Sequence, residues 1–344
     1  MIKKILLLTL LLVGICVADS HACTRIVYHG DSSLYIVGRS LDWKTPIPTN
    51  LYVYPRGSRF VSSGKPGAFS WTSKYGCVYA VSYDAGITEG MNEKGLQVAG
   101  LFCKTARYSN KENHNRRPVS LAVFVAWLLD NNQSVEEVIN QVKAQDFTLS
   151  GSDFDGGTET KLHFGVTDRN GAQAILEFTD GNLCIYRPDS IHAMTNDPEW
   201  PAMQAIVNYW RGVGGTNMLP GTVRSADRCV RASFFVDNVD KTADADLGAY
   251  ITRSVMNNVS VPYLYTVNGE PNVSSTQWRS LSNLRDLRYY FDVATANGFY
   301  YIDLAKCDLR PGAPVLKLTT YECLNVCGEA NRHLRKAKPF VPIY

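Results

Sequence analysis

Cys23 is the residue of this chain with the clearest potential for chemistry, because the segment before it is typical of a leader that is cut off at this point. Lys3 and Lys4 precede an apolar run, Ile5–Val17, and Ser20-His21-Ala22 places small residues one and three positions before Cys23. The apolar run is shorter than the roughly 20 residues of a membrane-spanning helix. The sequence therefore predicts that residues 1–22 are a signal peptide and that the mature chain begins at Cys23.

An N-terminal cysteine carries a thiol and a free α-amine on one residue. The amine has a reference pKa of about 7.7–8.0 and the thiol one of about 8.5, so near neutral pH the amine is able to take the proton of the thiol. Nucleophile and base then come from the same residue. Two other interpretations of Cys23 stay open at this point. It could be half of a structural disulfide, or a lipoprotein cysteine, although Ser20 stands where a lipoprotein signal needs an apolar residue.

Predicted strands and helices follow one another in groups along the chain, and they must position Cys23. Pro118 is predicted in the first turn of a helix, and Ser134 with Glu137 forms a capping box for the next. The order of strands, helices, strands, helices and strands favours an α+β sandwich over a doubly wound parallel sheet. No linker divides the chain, so residues 23–344 are predicted to form one domain. The predicted strands cover 24–28, 34–38, 51–54, 77–83, 96–103, 162–167, 172–178, 182–186, 277–282, 287–294 and 299–304, and the helices 118–131, 134–144, 201–211, 225–236 and 243–257.

The composition excludes several classes of partner. Among 344 residues, 35 are Lys or Arg and 32 are Asp or Glu, and the basic residues form no cluster. Such a near-neutral balance gives no support for binding to nucleic acid or to an anionic membrane surface. Beyond the leader, no segment is long and apolar enough to span a bilayer.

Eight of the nine cysteines follow residue 22, at wide spacings that are not typical of a disulfide scaffold. Most are predicted to be small buried hydrophobic residues. Whether Cys323 and Cys327 pair stays open. They do not make a zinc site, because no second Cys/His pair follows at the right spacing and His333 stands alone. No metal site is predicted.

Six motifs follow Cys23-Thr24-Arg25 along the chain. They are Gly38–Trp43 (GRSLDW), Glu89–Leu96 (EGMNEKGL), Ala99–Phe102 (AGLF), Met194–Pro198 (MTNDP), Leu219–Gly221 (LPG) and Asp227–Arg231 (DRCVR). In type and order they resemble the choloylglycine hydrolase family, which contains bile salt hydrolases and penicillin V acylases and belongs to the N-terminal nucleophile hydrolases. The resemblance covers nearly the whole chain after residue 22. It implies a four-layer αββα sandwich, in which two antiparallel sheets pack between helical layers.

The resemblance also implies roles for single residues. A guanidinium near the sulfur stabilises the thiolate, a carboxylate is able to hold the α-amine, and fixed donors stabilise the oxyanion of an attacked amide. Taken alone, these residues have structural interpretations too: an ion pair, a turn, and the solvated face of a helix. The implied roles are Cys23 as nucleophile, Arg39 and Asp42 beside it, the Asn196 side chain and the Phe102 backbone amide as oxyanion donors, and Arg228 as a further polar member of the site.

Phe102 and Trp43 are predicted to contact the substrate. Many bile salt hydrolases carry asparagine where Phe102 stands, whereas penicillin V acylases often carry an aromatic residue. The backbone donor survives this change, but the pocket becomes more apolar. Trp43 and the leader resemble the exported branch of the family that is found in Gram-negative bacteria.

The leading expectation is an exported amidase, periplasmic or secreted, that releases glycine or taurine from conjugated bile salts. Penicillin V or N-acyl-homoserine-lactone acylase activity is the alternative with the same chemistry. A papain-like protease would need a histidine base, and the histidines of this chain, His163 among them, lie in no recognisable motif. An exported binding protein on the same scaffold is the non-enzymatic alternative. The resemblance implies a small amide substrate, no cofactor, and a homo-oligomer, specifically a tetramer.

Overall fold

The computed structural model describes residues 22–144, 146–151, 160–267 and 270–344. The predicted signal peptide lies almost entirely outside these residues. The α-helices are α1 (Leu121–Asn131), α2 (Val135–Ala144), α3 (Trp200–Val213), α4 (Ser225–Asn238) and α5 (Ala245–Asn258). The strands are β1 (Ala22–His29), β2 (Tyr35–Trp43), β3 (Thr49–Tyr54), β4 (Arg59–Val61), β5 (Ser70–Thr72), β6 (Cys77–Ser82), β7 (Gly86–Asn92), β8 (Gln97–Phe102), β9 (Arg117–Ser120), β10 (Phe147–Ser150), β11 (Leu162–Thr167), β12 (Gln173–Thr179), β13 (Asn182–Tyr186), β14 (Ala193–Met194), β15 (Tyr265–Val267), β16 (Glu270–Asn283), β17 (Arg288–Val293), β18 (Phe299–Asp303), β19 (Leu316–Leu318), β20 (Cys327–Glu329) and β21 (Arg335–Lys336).

Two large, mainly antiparallel sheets form the centre of the described structure. The first has the strand order β14-β1-β2-β16-β17-β18-β20, with β15 pairing to β16. The second has the order β13-β12-β11-β8-β7-β6-β3-β19-β21. Helices α4 and α5 pack on the first sheet, α3 packs on α4, and α1 packs on the second sheet. The layers are therefore helix, sheet, sheet and helix, and the predicted αββα sandwich is confirmed.

The start of α1 differs from its prediction. Pro118 belongs to β9, which pairs in parallel with β10, and does not lie in the first turn of the helix. The helix begins after Ser120, whose side-chain oxygen accepts the Ala122 amide at 3.2 Å. A local capping bond thus decides the boundary, in preference to the proline. The predicted capping box of α2 is present in part, because the Glu137 amide donates to Ser134 Oγ at 3.2 Å, whereas the Glu137 carboxylate accepts from Gln133.

The cysteines of the described residues are all unpaired. Cys323 is buried and Cys327 is exposed, so the structure does not support a disulfide between them. None of the helices in the described ranges has the length and apolar character needed to cross a membrane.

The β1–β2 hairpin sets the positions of the predicted catalytic residues. Cys23 pairs with Leu41, and Arg25 pairs with Arg39. Because side chains alternate along a strand, these four residues share one face of the sheet. Arg25 packs over Gly165 of β11, which shows that this face looks toward the second sheet. The other face looks toward the helices and carries the alternate residues of the two strands, among them Thr24, Ser40 and Asp42.

Candidate active site

Cys23 lies one residue from the start of β1, with its side chain 5% exposed. Its sulfur is 3.8 Å from Arg39 Nη2. Its backbone nitrogen donates to Asn196 Oδ1 at 2.8 Å. If the chain is cut before Cys23, this nitrogen becomes the α-amine, so the geometry places both a guanidinium and an amide oxygen against the two reactive atoms of one residue.

Arg39 approaches the sulfur from the space between the sheets. It is 2% exposed, and its guanidinium carbon lies 4.6 Å from the centre of the Trp278 ring. Nη2 also donates to Gly100 O at 3.1 Å, and Nε lies 3.4 Å from the Glu89 carboxylate. A planar guanidinium held on one face by an aromatic ring and on its edge by a carboxylate has little freedom to turn away from the sulfur.

Glu89 is the buried group that holds Arg39 from the second sheet. Its carboxylate accepts hydrogen bonds from Ser280 and from the Tyr289 hydroxyl. Arg25 is buried in the same intersheet space, where burial lowers its pKa to about 9 although Glu89 acts in the opposite direction. The two guanidinium groups outnumber Glu89 among these charges. The intersheet space beside the sulfur therefore carries an excess of positive charge.

Arg228 reaches Cys23 from the helical side. It lies on α4 and is 0% exposed. Nη1 donates to the Cys23 carbonyl and Nη2 to Asn196 Oδ1, each at 2.8 Å. Burial lowers the pKa of Arg228, and the nearby Asp42 carboxylate, 3.8 Å from Nη1, opposes this effect.

Asp42 completes this second group of charges. It accepts from the Thr276 hydroxyl at 2.6 Å and from Ser40 Oγ at 3.2 Å. Burial raises the pKa of Asp42, and the charge of Arg228 with these two hydrogen bonds offsets part of the rise. Since a buried carboxylate needs compensation, Asp42 and Arg228 depend on each other for their charged forms.

Asn196 follows β14 and lies between Arg228, on the helical side, and Phe102 of the second sheet. Its backbone amide donates to Ser225 Oγ at 2.9 Å, and its side-chain Nδ2 donates to Phe102 O at 2.8 Å. The Cys103 amide donates to Lys161 O of the neighbouring chain segment at 2.9 Å, so the alternation of an antiparallel ladder turns the Phe102 N–H and C=O away from β11. The Phe102 N–H and the Asn196 amide therefore face the same edge of β8, as two oxyanion donors must.

A mainly apolar cleft opens beside the sulfur. It encloses about 860 Å³, part of it open to solvent. The Trp43 and Phe102 rings meet edge to face in its wall, with centroids 5.8 Å apart. Its further lining includes Leu41, Ile47, Ile87, Leu121 and Leu162.

The structure brings all seven predicted site residues to this place. In the chain that still carries Ala22, the Cys23 nitrogen is a peptide amide that donates to Asn196 Oδ1, so the predicted contact between the α-amine and Asp42 stays a prediction. Asp42 lies on the helical face of β2, where its carboxylate is 3.8 Å from Arg228 Nη1. The same alternation excludes the structural interpretation of Arg39 and Asp42 as a pair, because they project from opposite faces. Arg228 is buried, so it does not lie on a solvated helix face.

Sequence reasoning missed three supporting residues. Glu89 stands inside one of the quoted motifs but carried no role. Ser225 began a predicted helix and Thr276 directly preceded a predicted strand, and neither carried any signal. Their partners are distant in sequence, so only the pairing of strands reveals them.

The αββα layering, with a cysteine near the start of a strand and its amide nitrogen at the mouth of a cleft, is the architecture of N-terminal nucleophile hydrolases that act on linear amide bonds. The chain belongs to the choloylglycine hydrolase family. The family profile, described as linear amide C–N hydrolases, choloylglycine hydrolase family, matches residues 23–327 and so begins at Cys23.

Named relatives include two activities. The penicillin V acylase of Pectobacterium atrosepticum is 34% identical over 351 residues, which cover 94% of this chain and 92% of that protein. The bile salt hydrolase/transferase of Clostridium perfringens is 26% identical and covers 83% and 94%.

Solved structures of a penicillin V acylase and of a conjugated bile acid hydrolase are also similar to this chain. The penicillin V acylase from Agrobacterium tumefaciens has a TM-score of 0.85 and 36% identity, over 93% of this chain and 99% of that chain. A mutant of the conjugated bile acid hydrolase from Clostridium perfringens has a TM-score of 0.72 at 23% identity, over 94% and 99%, which shows the shared fold alone.

Proposed function

We propose that the protein is an amidase of the penicillin V acylase type, which cleaves the amide bond between an aromatic acyl group and a small polar amine. The apolar cleft beside Cys23, walled by Trp43 and Phe102, carries this proposal. An aryloxyacetyl group fits such a wall, because aromatic rings gain from edge-to-face contact beyond the area they bury.

Conjugated bile salts, which were the leading expectation from the sequence, rank second. Their steroid hydroxyl groups would lose hydrogen bonds to water in a mainly apolar cleft, and unpaired buried polar groups are costly. The phenoxyacetyl group of penicillin V has a single ether oxygen to desolvate. The 34% and 36% identity to penicillin V acylases, against 26% and 23% to bile salt hydrolases, supports the same ranking.

The reaction begins with proton transfer from the Cys23 thiol to its own α-amine. The thiolate attacks the amide carbon, and the carbonyl oxygen becomes an oxyanion that Asn196 Nδ2 and the Phe102 N–H stabilise. Collapse of this intermediate breaks the C–N bond, and the α-ammonium gives its proton to the leaving amine. Water, deprotonated by the α-amine, then attacks the thioester, which releases the acid and restores the thiol.

The surrounding charges have separate tasks in this scheme. Arg39 stabilises the thiolate. Arg228 and Asp42 fix the Cys23 carbonyl and the Asn196 oxygen, and because that oxygen accepts an N–H of the α-amine, it leaves the amine lone pair to face the sulfur.

Export belongs to the same proposal. The predicted leader supports a periplasmic or secreted protein, and its removal would create the α-amine that serves as base. Assembly into a homo-oligomer remains a proposal from the family resemblance.

The test compares penicillin V, phenylacetyl- and acyl-homoserine lactones, taurocholate and glycocholate on the purified chain beginning at Cys23. We expect the highest kcat/KM for penicillin V. Phe102→Ala keeps the backbone donor and removes the ring, so it should raise KM for penicillin V by about tenfold, with a smaller effect on kcat.

A chain that retains Ala22 is the control, and it should be inactive on every substrate because its Cys23 nitrogen is an amide. Higher kcat/KM for either bile salt would reverse the ranking. Full activity of the Ala22-containing chain would remove the α-amine as base, and inactivity of both chains would favour the binding-protein alternative.

A further inference from the structure

A buried ion pair lies behind the segment that carries Asn196. His163 of β11 and Glu177 of β12 face each other across neighbouring strands, and His163 Nδ1 is 3.0 Å from Glu177 Oε1. The side chains of both residues are 3% exposed. The reaction scheme above uses neither residue.

The contacts of His163 fix its protonation. Nε2 lies 2.8 Å from Thr195 O, which only accepts, so Nε2 carries a proton. Nδ1 faces a carboxylate whose two oxygens also accept the Trp200 amide, at 2.9 and 3.1 Å. A carboxylate accepts hydrogen bonds and donates none, so Nδ1 carries a proton as well. His163 is therefore an imidazolium.

The pair holds both ends of one short segment. His163 binds the carbonyl of Thr195, and Glu177 binds the amide of Trp200 at the start of α3. We call residues 195–200 the oxyanion loop. Asn196, which donates to Phe102 O, lies inside this loop, one residue from the first anchor.

Cys103 and Glu177 are the titratable groups that favour the imidazolium form of His163. Burial alone would lower the pKa of His163, and contacts with Cys103, which follows β8, and with Glu177 raise it well above its ordinary value. Cys103 Sγ in turn lies 3.9 Å from Asp197 Oδ1 in the oxyanion loop. Arg25 of β1, which packs over Gly165 two residues along β11, is the positive group on the same side.

We propose that the imidazolium of His163 and the carboxylate of Glu177 together position the oxyanion loop, so that Asn196 Nδ2 stays within hydrogen-bond distance of the Phe102 backbone. His163 and Glu177 are thus positioning residues that act through Asn196. This inference rests on the proposed role of Asn196 as an oxyanion donor.

His163→Leu tests the inference, because it removes both donors and leaves Glu177 without its charge partner. We expect kcat to fall by about 10- to 100-fold, since a misplaced catalytic group costs up to about 10² in rate. KM should change by less than about threefold, because neither residue lines the cleft. His114→Leu, on the surface, is the matched control. Rates are normalised to the folded fraction of each variant, measured by circular dichroism.

Glu177→Gln separates charge from hydrogen bonding. A glutamine amide is able to donate to Nδ1 of a neutral His163, which then keeps its Nε2–H bond to Thr195. We therefore expect a smaller fall in kcat than for His163→Leu. An equal or larger fall would show that the charge of the pair is what positions the loop, whereas the wild-type kcat in both variants would overturn the inference.

Nitrogen-15 NMR of the histidine rings in the wild-type mature protein gives a second readout that does not depend on a folded variant. At pH 8 both ring nitrogens of His163 should be protonated, and in Glu177→Gln one of them should not. A neutral His163 in the wild type would overturn the inference.

Asn196→Ala distinguishes a failure of the positioning role of His163 from a failure of the oxyanion role of Asn196. If Asn196→Ala is nearly inactive and His163→Leu has the wild-type kcat, the positioning role is wrong and the proposed mechanism stands. If Asn196→Ala itself keeps the wild-type kcat, the oxyanion role of Asn196 is wrong, and the NMR result alone then decides whether His163 is charged.

Discussion

Two fully buried carboxyl groups, Glu89 and Asp130, show how differently the two faces of the second sheet are built. Glu89 on β7 projects into the intersheet space, where it meets the Arg39 guanidinium. Asp130, in α1, faces the other side, where its partners are neutral: the Tyr79 hydroxyl, Trp71 Nε1 at 2.6 Å and the Cys77 thiol at 3.6 Å. Both residues are 0% exposed.

The difference lies in what balances the charge. Burial raises the pKa of Asp130 from 3.8 to about 7, and the neutral donors reverse only part of that rise. Glu89 has a cation beside it, and that cation contacts the Cys23 sulfur. The intersheet face of the second sheet thus carries an ion pair next to Cys23. On the helical face, the Asp130 carboxyl group mainly forms hydrogen bonds that connect α1 to the sheet.

Cys23→Ser should have the largest effect on the site side of this comparison. The serine hydroxyl is hardly ionised beside Arg39, so we expect almost no turnover while circular dichroism stays unchanged. Cys327→Ser, at an exposed cysteine, is the control and should keep full activity. Substantial turnover by Cys23→Ser would mean that the sulfur is not the nucleophile.

Asn196→Ala should come next. It removes one oxyanion donor, so kcat should fall by about 10²–10³ while KM changes less. Asn182→Ala, at an exposed position of β13, is the matched control. Steady-state kinetics on the best substrate give the answer, and an Asn196→Ala effect that appears only in KM would contradict the assigned role.

Glu89→Gln should have a smaller effect. It keeps an oxygen for Ser280 and Tyr289 but removes the charge that holds Arg39, so we expect kcat to fall by about tenfold. Glu93→Gln disrupts the Arg56–Glu93 ion pair near the surface and should leave kcat unchanged. Equal kinetics for the two variants would show that the intersheet carboxylate does not matter for the chemistry.

Asp130→Asn should change stability and leave kcat alone. The pKa of Asp130 is raised in the folded state, so its contribution to stability is fully present below about pH 4 and is lost as the pH rises through about 7. The full difference corresponds to at most about 4 kcal/mol. Relative to Asp130→Asn, the wild type should lose stability between pH 4 and pH 8 in urea unfolding. A constant difference between the two proteins over this range would contradict the assigned pKa.

The sequence predicts much of the fold because its signals are local. Alternation and turn residues indicated the strands at 162–167, 172–178 and 182–186, which the structure confirms as β11, β12 and β13. The error at Pro118 has a local cause as well, since proline is equally compatible with the first turn of a helix and with a strand whose amide is not needed.

The residues of the candidate site also divide into those that local sequence signals indicate and those that only the tertiary structure reveals. Cys23, Arg39 and Asn196 stand in motifs that sequence alone connects to a family, and all three meet in the structure. Glu89 stands in such a motif but carried no predicted role, and His163 stands in none. The contacts of both residues depend on which strands become neighbours. The contact of the Cys23 nitrogen with Asn196 likewise depends on the tertiary structure, which alternation along a single strand does not specify.

The register of the β1–β2 hairpin has a consequence for how this region tolerates insertions and deletions. A shift of one residue would exchange the two faces of β2, so that Arg39 would point to the helices and Asp42 to the intersheet space. The connection at residues 30–34, where Ser32 and Ser33 both have positive φ, therefore fixes the chemistry by its length. Substitutions at the exposed residues 31–33 are compatible with activity as long as the count of residues is kept. A single added or missing residue would disrupt both the Arg39–Glu89 and the Arg228–Asp42 contacts at once.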